Sequence, residues 1–114
     1  TLTLTIALNY GARQELVSAV RRLAESCVAN ELSPRAISES DLEGALNTHG
    51  LPDPDLLVRT GGEVRLSNFL LWQLAYTELF FSDVLWPDFN EALFGMPLAP
   101  IRADNGGLAR SVSK

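Results

Sequence analysis

A polar loop of nine residues, 59 to 67, separates two apolar runs and constrains the fold more than any other part of the chain. The run before the loop, residues 56–58, is apolar at consecutive positions, which is typical of a strand covered on both faces in a parallel sheet. The segment after the loop, residues 68–79, would place apolar side chains around most of a helix. The pattern therefore predicts a buried strand, an exposed loop and a buried helix in succession.

The amino-terminal part of the chain predicts a strand followed by a helix. Residues 1–8 alternate between large apolar and smaller side chains, as a strand with one covered face does. Residues 12–29 have apolar side chains at helical spacing and predict a helix with a broad buried face. The positions on that face are 16, 17, 20, 23, 24, 27 and 28.

Three further elements are expected. Ser40 and Glu43 match a capping box, which predicts a short helix that ends near residue 46. Residues 80–85 are expected to form a third strand. A final helix is expected to begin near residue 86, with Asp88 as its N-cap.

This order of elements predicts an α/β fold of three layers, with a mostly parallel sheet and helices on both faces. Residues 95–114 have a different character, since they contain two prolines and three glycines and show no helical periodicity. We expect that segment to be a disordered tail.

Composition excludes several classes of protein. The 114 residues are 46% hydrophobic and have a net charge of −5, without the basic face of a general nucleic-acid binder. No apolar run approaches the ~20 residues of a transmembrane helix. Cys27 is the only cysteine, so no internal disulfide can form and a reducing, cytoplasmic location is expected.

The loop has the chemistry of an anion site. Arg59 ends the predicted strand, and ligands of α/β sheets bind at the carboxyl ends of strands. Arg65 and Ser67 could converge on the same anion across the paired glycines, and Ser67 would stand at the positive end of the next helix. These groups fit a diphosphate better than a carboxylate. The alternatives are that Ser67 is a simple N-cap and that Arg59 forms an ion pair with Glu63 or Asp55.

One carboxylate and one histidine are further candidates for site residues. Glu78 lies among residues expected to be buried, so it should either bind a cation such as Mg²⁺ beside a diphosphate or pair with an arginine. His49, the only histidine, is expected to be an exposed loop residue. No nucleophile or general base is apparent, and no catalytic residue is assigned.

Two segments carry a family resemblance. Residues 55–78 read DLLVRTGGEVRLSNFLLWQLAYTE, and residues 81–89 read FSDVLWPDF. Together they resemble the C-terminal signature of the cis-prenyltransferases, which include bacterial undecaprenyl diphosphate synthase, or isoprenyl transferase. Residues 8–13 resemble the N-Y-G-G-R segment of that family, with Ala12 at the second glycine. Residues 1–94 are thus expected to form the C-terminal part of such a domain.

The resemblance implies a function. The family condenses isopentenyl diphosphate onto an allylic prenyl diphosphate in cis with Mg²⁺, works as a homodimer, and makes the lipid carrier of cell-wall synthesis. By resemblance, Arg59, Arg65, Ser67 and the backbone of Leu66 bind the diphosphate of isopentenyl diphosphate. Glu78 matches the Mg²⁺-binding glutamate.

The resemblance also assigns a partner and a location. The helix that contains Trp72 and Tyr76 matches the dimer interface of the family. A cytoplasmic location follows, with membrane association through the lipid product left open.

Three departures from the family pattern modify these expectations. The N-terminal half, with the allylic diphosphate loop, is not in the chain, so the chain alone is expected not to catalyse prenyl transfer. Val64 stands where some members have a metal-binding histidine. After residue 94 the basic C-terminal helix is interrupted. Two alternatives stay open: a non-catalytic partner subunit of a complete cis-prenyltransferase, and a decaying gene fragment.

Overall fold

The computed structural model describes residues 1–96, which fall into two compact units. One unit comprises Thr1–Pro52 and Asn68–Leu71, and the other comprises Asp53–Ser67 and the described residues from Trp72 onward. No helix in the described part of the chain is long and apolar enough to cross a bilayer. The expected tail lies outside the described residues except for its first two positions.

The first unit is built on a helix of 17 residues, α1, Ala12–Val28, as the apolar spacing predicts. Its N-cap, Gly11, has no side chain to accept from the free N–H groups of the first turn. Asn68 replaces that cap, because its carbonyl oxygen accepts from the Ala12 N–H at 2.8 Å and its Oδ1 accepts from the Arg13 N–H at 2.8 Å.

The predicted broad buried face of α1 is wrong in part, since Leu16, Leu23 and Cys27 on it are half-buried. Val17, Val20 and Val28 are 52%, 58% and 84% exposed, whereas the buried residues of the helix are Ala12, Glu15 and Ala19. Within its unit, α1 packs against a second, shorter helix, and such a pair covers only a narrow stripe of side chains.

Glu15 is the polar centre of this unit and is 6% exposed. Its Oε1 accepts a short hydrogen bond from the Tyr10 hydroxyl, and its Oε2 accepts from the Asn47 N–H at 2.8 Å. Burial, followed by the hydrogen bond and the charge of Glu15, raises the pKa of the Tyr10 hydroxyl. Tyr10 also packs edge-to-face on Phe69, with 5.6 Å between ring centroids.

The second helix, α2, Glu39–Ala45, has a capping box two residues before the predicted one. Ser38 Oγ accepts from the Asp41 N–H at 3.3 Å, and Asp41 Oδ2 accepts from the Ser38 N–H at 2.8 Å. The prediction from Ser40 and Glu43 is therefore wrong in register, because aspartate fills the third helical position as well as glutamate does. A turn of 3₁₀ helix, Pro34–Ala36, precedes α2.

The predicted strand at residues 1–8 is also wrong. The described chain forms no strand there, and Leu2, Leu4, Ile6 and Leu8 are 71% to 92% exposed. Alternation specifies which face a strand would bury, but a strand also needs a hydrogen-bonding neighbour. No described strand pairs with this segment.

The second unit contains a parallel pair of strands, β1, Leu56–Arg59, and β2, Glu78–Phe81. Leu56 pairs with Glu78 and Arg59 pairs with Phe81. β1 forms where it was predicted and the parallel arrangement is confirmed, but the four residues of β1 are half-buried and not buried. The expected third strand at residues 80–85 begins earlier, at Glu78, and ends at Phe81.

The helix predicted at residues 68–79 is not formed; residues 71–76 are a series of turns. Ser67, Asn68 and Leu70 have φ angles of 51°, 61° and 46°, in the left-handed region that cannot continue into a right-handed helix. The expected burial is realised in part, since Gln73 and Leu74 are 3% and 7% exposed.

The last predicted helix starts later than expected. Trp86–Asp88 is a 3₁₀ turn, and Phe89 is extended at φ −75° and ψ 115°, which interrupts the helical backbone. Residues 91–96 are then helical. Asn90 Oδ1 accepts from the Leu93 N–H at 3.0 Å, so Asn90 and not Asp88 caps this helix.

Candidate functional site

The candidate anion loop follows β1 and turns on two glycines. Gly61 and Gly62 have φ angles of 91° and 81°, which residues with a Cβ rarely adopt. Their N–H groups donate to the carbonyl oxygens of Val84 at 2.9 Å and Ser82 at 3.0 Å. The glycines therefore shape the turn and anchor it, and their N–H groups are already in use within the protein.

Arg59 holds the loop together from the end of β1. Its Nη1 donates to the carbonyl oxygen of Arg65 and, at 2.8 Å, to Ser67 Oγ. Its Nη2 donates to Glu63 Oε2 at 2.8 Å. The side chain is 26% exposed. The ion-pair alternative for Arg59 is thus present in the structure, with Glu63 and not with Asp55 as the partner.

Arg65 is more open to solvent. Its side chain is 67% exposed, and its Nε donates to Glu63 Oε2 at 3.0 Å. The hydrogen bond and the charge of Arg65, with a smaller contribution from the charge of Arg59, lower the pKa of Glu63. One carboxylate oxygen therefore accepts from both guanidinium groups.

Ser67 differs from its prediction. Its hydroxyl accepts from Arg59, but its φ of 51° excludes it from the start of an α-helix. The expected helix N-terminus beneath an anion is absent from the described chain, and so is the N-cap role. Leu66, beside it, is half-buried.

Arg59, Arg65, Glu63 and Ser67 thus meet in one hydrogen-bonded cluster on an exposed loop, with a formal net charge of +1. The cluster can accept an anion with several oxygen atoms, because Arg65 reaches solvent and Arg59 fixes the loop behind it. The sequence named both arginines and the serine as site residues. Glu63 was predicted only as a partner for Arg59. Its spacing, four residues after Arg59 and two before Arg65, could have indicated that both arginines share it.

Glu78 lies at the other end of the strand pair. It is the first residue of β2, opposite Leu56, while Arg59 is the last residue of β1. It is half-buried and lines a cavity of about 210 Å³. Asp53, Pro54, Asp55, Gln73, Tyr76 and Thr77 also line that cavity. Thr77 Oγ1 donates to the Pro54 carbonyl at 2.6 Å and closes one wall.

No set of three or more His, Cys, Asp or Glu side chains within residues 1–96 is placed to hold a metal ion. His49 is exposed, as predicted. Tyr76, expected at a subunit interface, is 98% exposed, and Trp72 is half-buried.

Residues 1–99 match the family model described as undecaprenyl diphosphate synthase. The chain belongs to the undecaprenyl diphosphate synthase family. The resemblance read from the sequence is thereby confirmed.

Curated relatives in the undecaprenyl diphosphate synthase family are similar over most of the chain. The chain is 57% identical to an isoprenyl transferase of Geobacillus kaustophilus over 82% of its length, and 50% identical to one of Chlamydia trachomatis over 93%. It is 54% identical, over 82%, to a Yersinia pestis ditrans,polycis-undecaprenyl-diphosphate synthase described as (2E,6E)-farnesyl-diphosphate specific. The chain spans only 36%, 43% and 37% of these three relatives.

Two crystal structures confirm the α/β fold class. Lavandulyl diphosphate synthase from Lavandula x intermedia, solved with dimethylallyl diphosphate, has a TM-score of 0.78 and 44% identity over 83% of this chain and 41% of its own. A protein of Campylobacter jejuni described as a probable undecaprenyl diphosphate synthase has a TM-score of 0.68 and 34% identity over 85% of this chain and 42% of its own.

Proposed function

We propose that this chain carries the isopentenyl diphosphate site of an isoprenyl transferase, an enzyme that condenses isopentenyl diphosphate onto an allylic diphosphate in cis. The observation that carries the proposal is the cluster of Arg59, Arg65 and Ser67 on one exposed loop at the carboxyl end of a parallel strand. A diphosphate offers several charged oxygen atoms, which two forked guanidinium groups and a hydroxyl can bind together.

The relatives support a prenyl diphosphate as the ligand class. One similar enzyme is described as specific for farnesyl diphosphate, and a similar structure was solved with dimethylallyl diphosphate. Both molecules end in the same diphosphate group. We extend that chemistry to this chain and assign the isopentenyl diphosphate to the loop at residues 59–67.

Each loop residue has a distinct proposed task. Arg65 binds the diphosphate directly, since it is the more exposed guanidinium. Arg59 and Ser67 lie behind Arg65 and bind the same anion, and the Leu66 N–H donates to it. No general acid or base is assigned. These residues are proposed to bind and orient the substrate, and they leave its reacting carbon atoms accessible to the second substrate.

Glu78 is the proposed protein ligand of Mg²⁺. Glu78 and Asp55 fit that ion in type, because one or two carboxylates with phosphate oxygens form a normal Mg²⁺ site. Both line the cavity at the opposite end of the strand pair from Arg59. When bound, Mg²⁺ would neutralise charge on a diphosphate. The exposed Val64 cannot ligate a metal, so it contributes nothing there.

The assembly and location are proposed from the same family. Tyr76, an aromatic side chain that is 98% exposed, supports a homodimer through the segment that includes Trp72. Sedimentation at increasing protein concentration should reveal a dimer, and a monomer at every concentration would contradict it. We place the protein in the cytoplasm, where its product would serve cell-wall synthesis.

Catalysis by this chain alone is not expected. It spans 36% to 43% of its curated relatives, and the proposed site at residues 59–67 would hold one of the two diphosphates that the reaction uses. We therefore propose that the 114 residues bind isopentenyl diphosphate without elongating an allylic partner. Elongation of a labelled allylic diphosphate above background would contradict this.

The binding claim is tested by calorimetry with isopentenyl diphosphate, with and without Mg²⁺. Arg65→Ala should weaken binding about tenfold or more, because a hydrogen bond to a charged group contributes roughly 1.5 to 3 kcal/mol. Arg21→Ala is the matched control, since it removes the same charge from an exposed position on α1. Equal affinities for wild type and Arg65→Ala would overturn the assignment.

The same titrations test the proposed role of Glu78 in binding Mg²⁺. Mg²⁺ should strengthen binding to the wild type and to Arg21→Ala. In Glu78→Gln that enhancement should disappear while metal-free binding is unchanged. An enhancement of the same size in Glu78→Gln would remove Glu78 from the metal site.

A further inference from the structure

Glu63 is the one acidic residue in the candidate anion loop, residues 59–67, and its carboxylate bonds to two arginines. Its Oε2 accepts from Arg59 Nη2 at 2.8 Å and from Arg65 Nε at 3.0 Å. The Glu63 side chain is 50% exposed, so this bridge forms at the surface beside the proposed diphosphate position. Resemblance assigned Arg59, Arg65, Leu66 and Ser67 to the site and left Glu63 out.

We propose that Glu63 is a positioning residue that holds the guanidinium groups of Arg59 and Arg65 at one point, ready for a diphosphate. The proposal rests on the proposed function of this loop. Glu63 itself touches no substrate in this account and acts through the two arginines.

The physical need for such a residue follows from like charges. Two guanidinium groups that reach toward one carboxylate oxygen repel each other when no anion lies between them. Arg65, at 67% exposed, would otherwise sample many rotamers in solvent. A shared carboxylate cancels the repulsion before the ligand arrives and lowers the ordering cost at binding.

The contact of Glu63 with Arg65 leaves the terminal donors of Arg65 available for a ligand. Glu63 uses the Nε edge of Arg65, whereas the terminal nitrogen atoms of Arg65 are not engaged by it. Arg59 turns its other terminal nitrogen toward Ser67 and the Arg65 carbonyl. Because an exposed ion pair is weak, the bridge can also adjust when a diphosphate binds.

Glu63→Gln separates this proposal from simple electrostatics. The substitution raises the net charge of the cluster from +1 to +2, so charge alone predicts tighter binding of a diphosphate. Positioning predicts weaker binding, because the amide cannot accept two charge-assisted hydrogen bonds as strongly. The two accounts therefore differ in the sign of the effect.

The experiment measures binding of inorganic pyrophosphate and of isopentenyl diphosphate at fixed ionic strength to wild type, Glu63→Gln, Glu63→Asp and Glu25→Gln. Glu25 is exposed on α1, and its substitution makes the same charge change away from the loop. We expect Glu63→Gln to bind both ligands roughly two- to fivefold more weakly, in line with the strength of exposed ion pairs. Glu63→Asp should bind with intermediate affinity, and Glu25→Gln like wild type.

A second readout follows the arginine itself. In wild type, the Arg65 Nε–H should give an NMR signal protected from exchange, and Glu63→Gln should broaden or lose that signal while circular dichroism stays unchanged. If wild type binds neither ligand, the proposed function of the loop fails. If wild type binds and Glu63→Gln binds as tightly or more tightly, or keeps the same Arg65 signal, the positioning role alone is overturned.

Discussion

Arg59 and Arg65 are both arginines of the same loop, but their different contacts and exposure indicate different roles. Arg59 donates to the Arg65 carbonyl, Ser67 Oγ and Glu63, and is 26% exposed. Arg65 has one of its donors on Glu63 and is 67% exposed. Arg59 is therefore mainly a support of the loop, and Arg65 mainly a contact for the ligand.

This difference predicts effects of different size for the two alanine variants on stability. Arg59→Ala should lower the free energy of unfolding by about 1 to 2 kcal/mol, through its bonds to the Arg65 carbonyl and Ser67 Oγ. Arg65→Ala should change it by less than about 0.5 kcal/mol, as surface substitutions usually do. Urea unfolding of the two variants checks this. Equal losses of stability would mean that the arginines share one role.

The sequence predicted Arg59, Arg65 and Ser67 as one group, and the structure brings them together. Their role as an anion site stays a prediction. The partners of those residues were harder to predict, because Ser67 lies at φ 51° and the glycine N–H groups bond to Val84 and Ser82. Such geometry depends on how the loop closes, which local spacing does not specify.

At the scale of elements, the sequence predicts α1 and β1 correctly because each has a strong internal pattern. The segment at 71–76 has a helical pattern too, but it follows three left-handed residues and forms turns. Residues 1–8 have a strand pattern without a described neighbour to pair with. An element thus forms when its pattern and its surroundings agree.

The register of α2 gives an element-scale prediction. Ser38→Ala removes the N-cap and should destabilise the protein by about 1 kcal/mol, whereas Ser40→Ala, inside the helix, should be neutral or slightly stabilising. Thermal unfolding of both variants measures the difference. A larger loss of stability in Ser40→Ala than in Ser38→Ala would favour the capping box of Ser40 and Glu43 that the sequence predicted.

The same cap carries a pH dependence. The backbone and hydroxyl of Ser38 donate to Asp41 and lower the pKa of that carboxyl. The contribution of Asp41 to stability is therefore present above the unfolded pKa of about 3.9 and is lost as pH falls through the lower folded value. The stability gap between wild type and Ser38→Ala should accordingly narrow below about pH 4.

At the scale of the molecule, the family assignment covers residues 1–99, but the chain spans 36% to 43% of the relatives named above. The apolar residues at 2, 4, 6, 8, 17, 20 and 28 are exposed in the described structure. The sequence indicates the α/β class through the order of its predicted strands and helices. It did not indicate the two compact units, which depend on contacts between distant parts of the chain.

The central claim is that the loop at 59–67 binds a diphosphate, and an amide and arginine NMR titration with isopentenyl diphosphate tests it most directly. We predict saturable shifts at Arg65, Leu66 and Ser67, with the Arg65 side-chain signals moving most and α1 unaffected. Absence of shifts at those residues under saturating ligand, with Arg59 and Arg65 still paired to Glu63, would contradict the account.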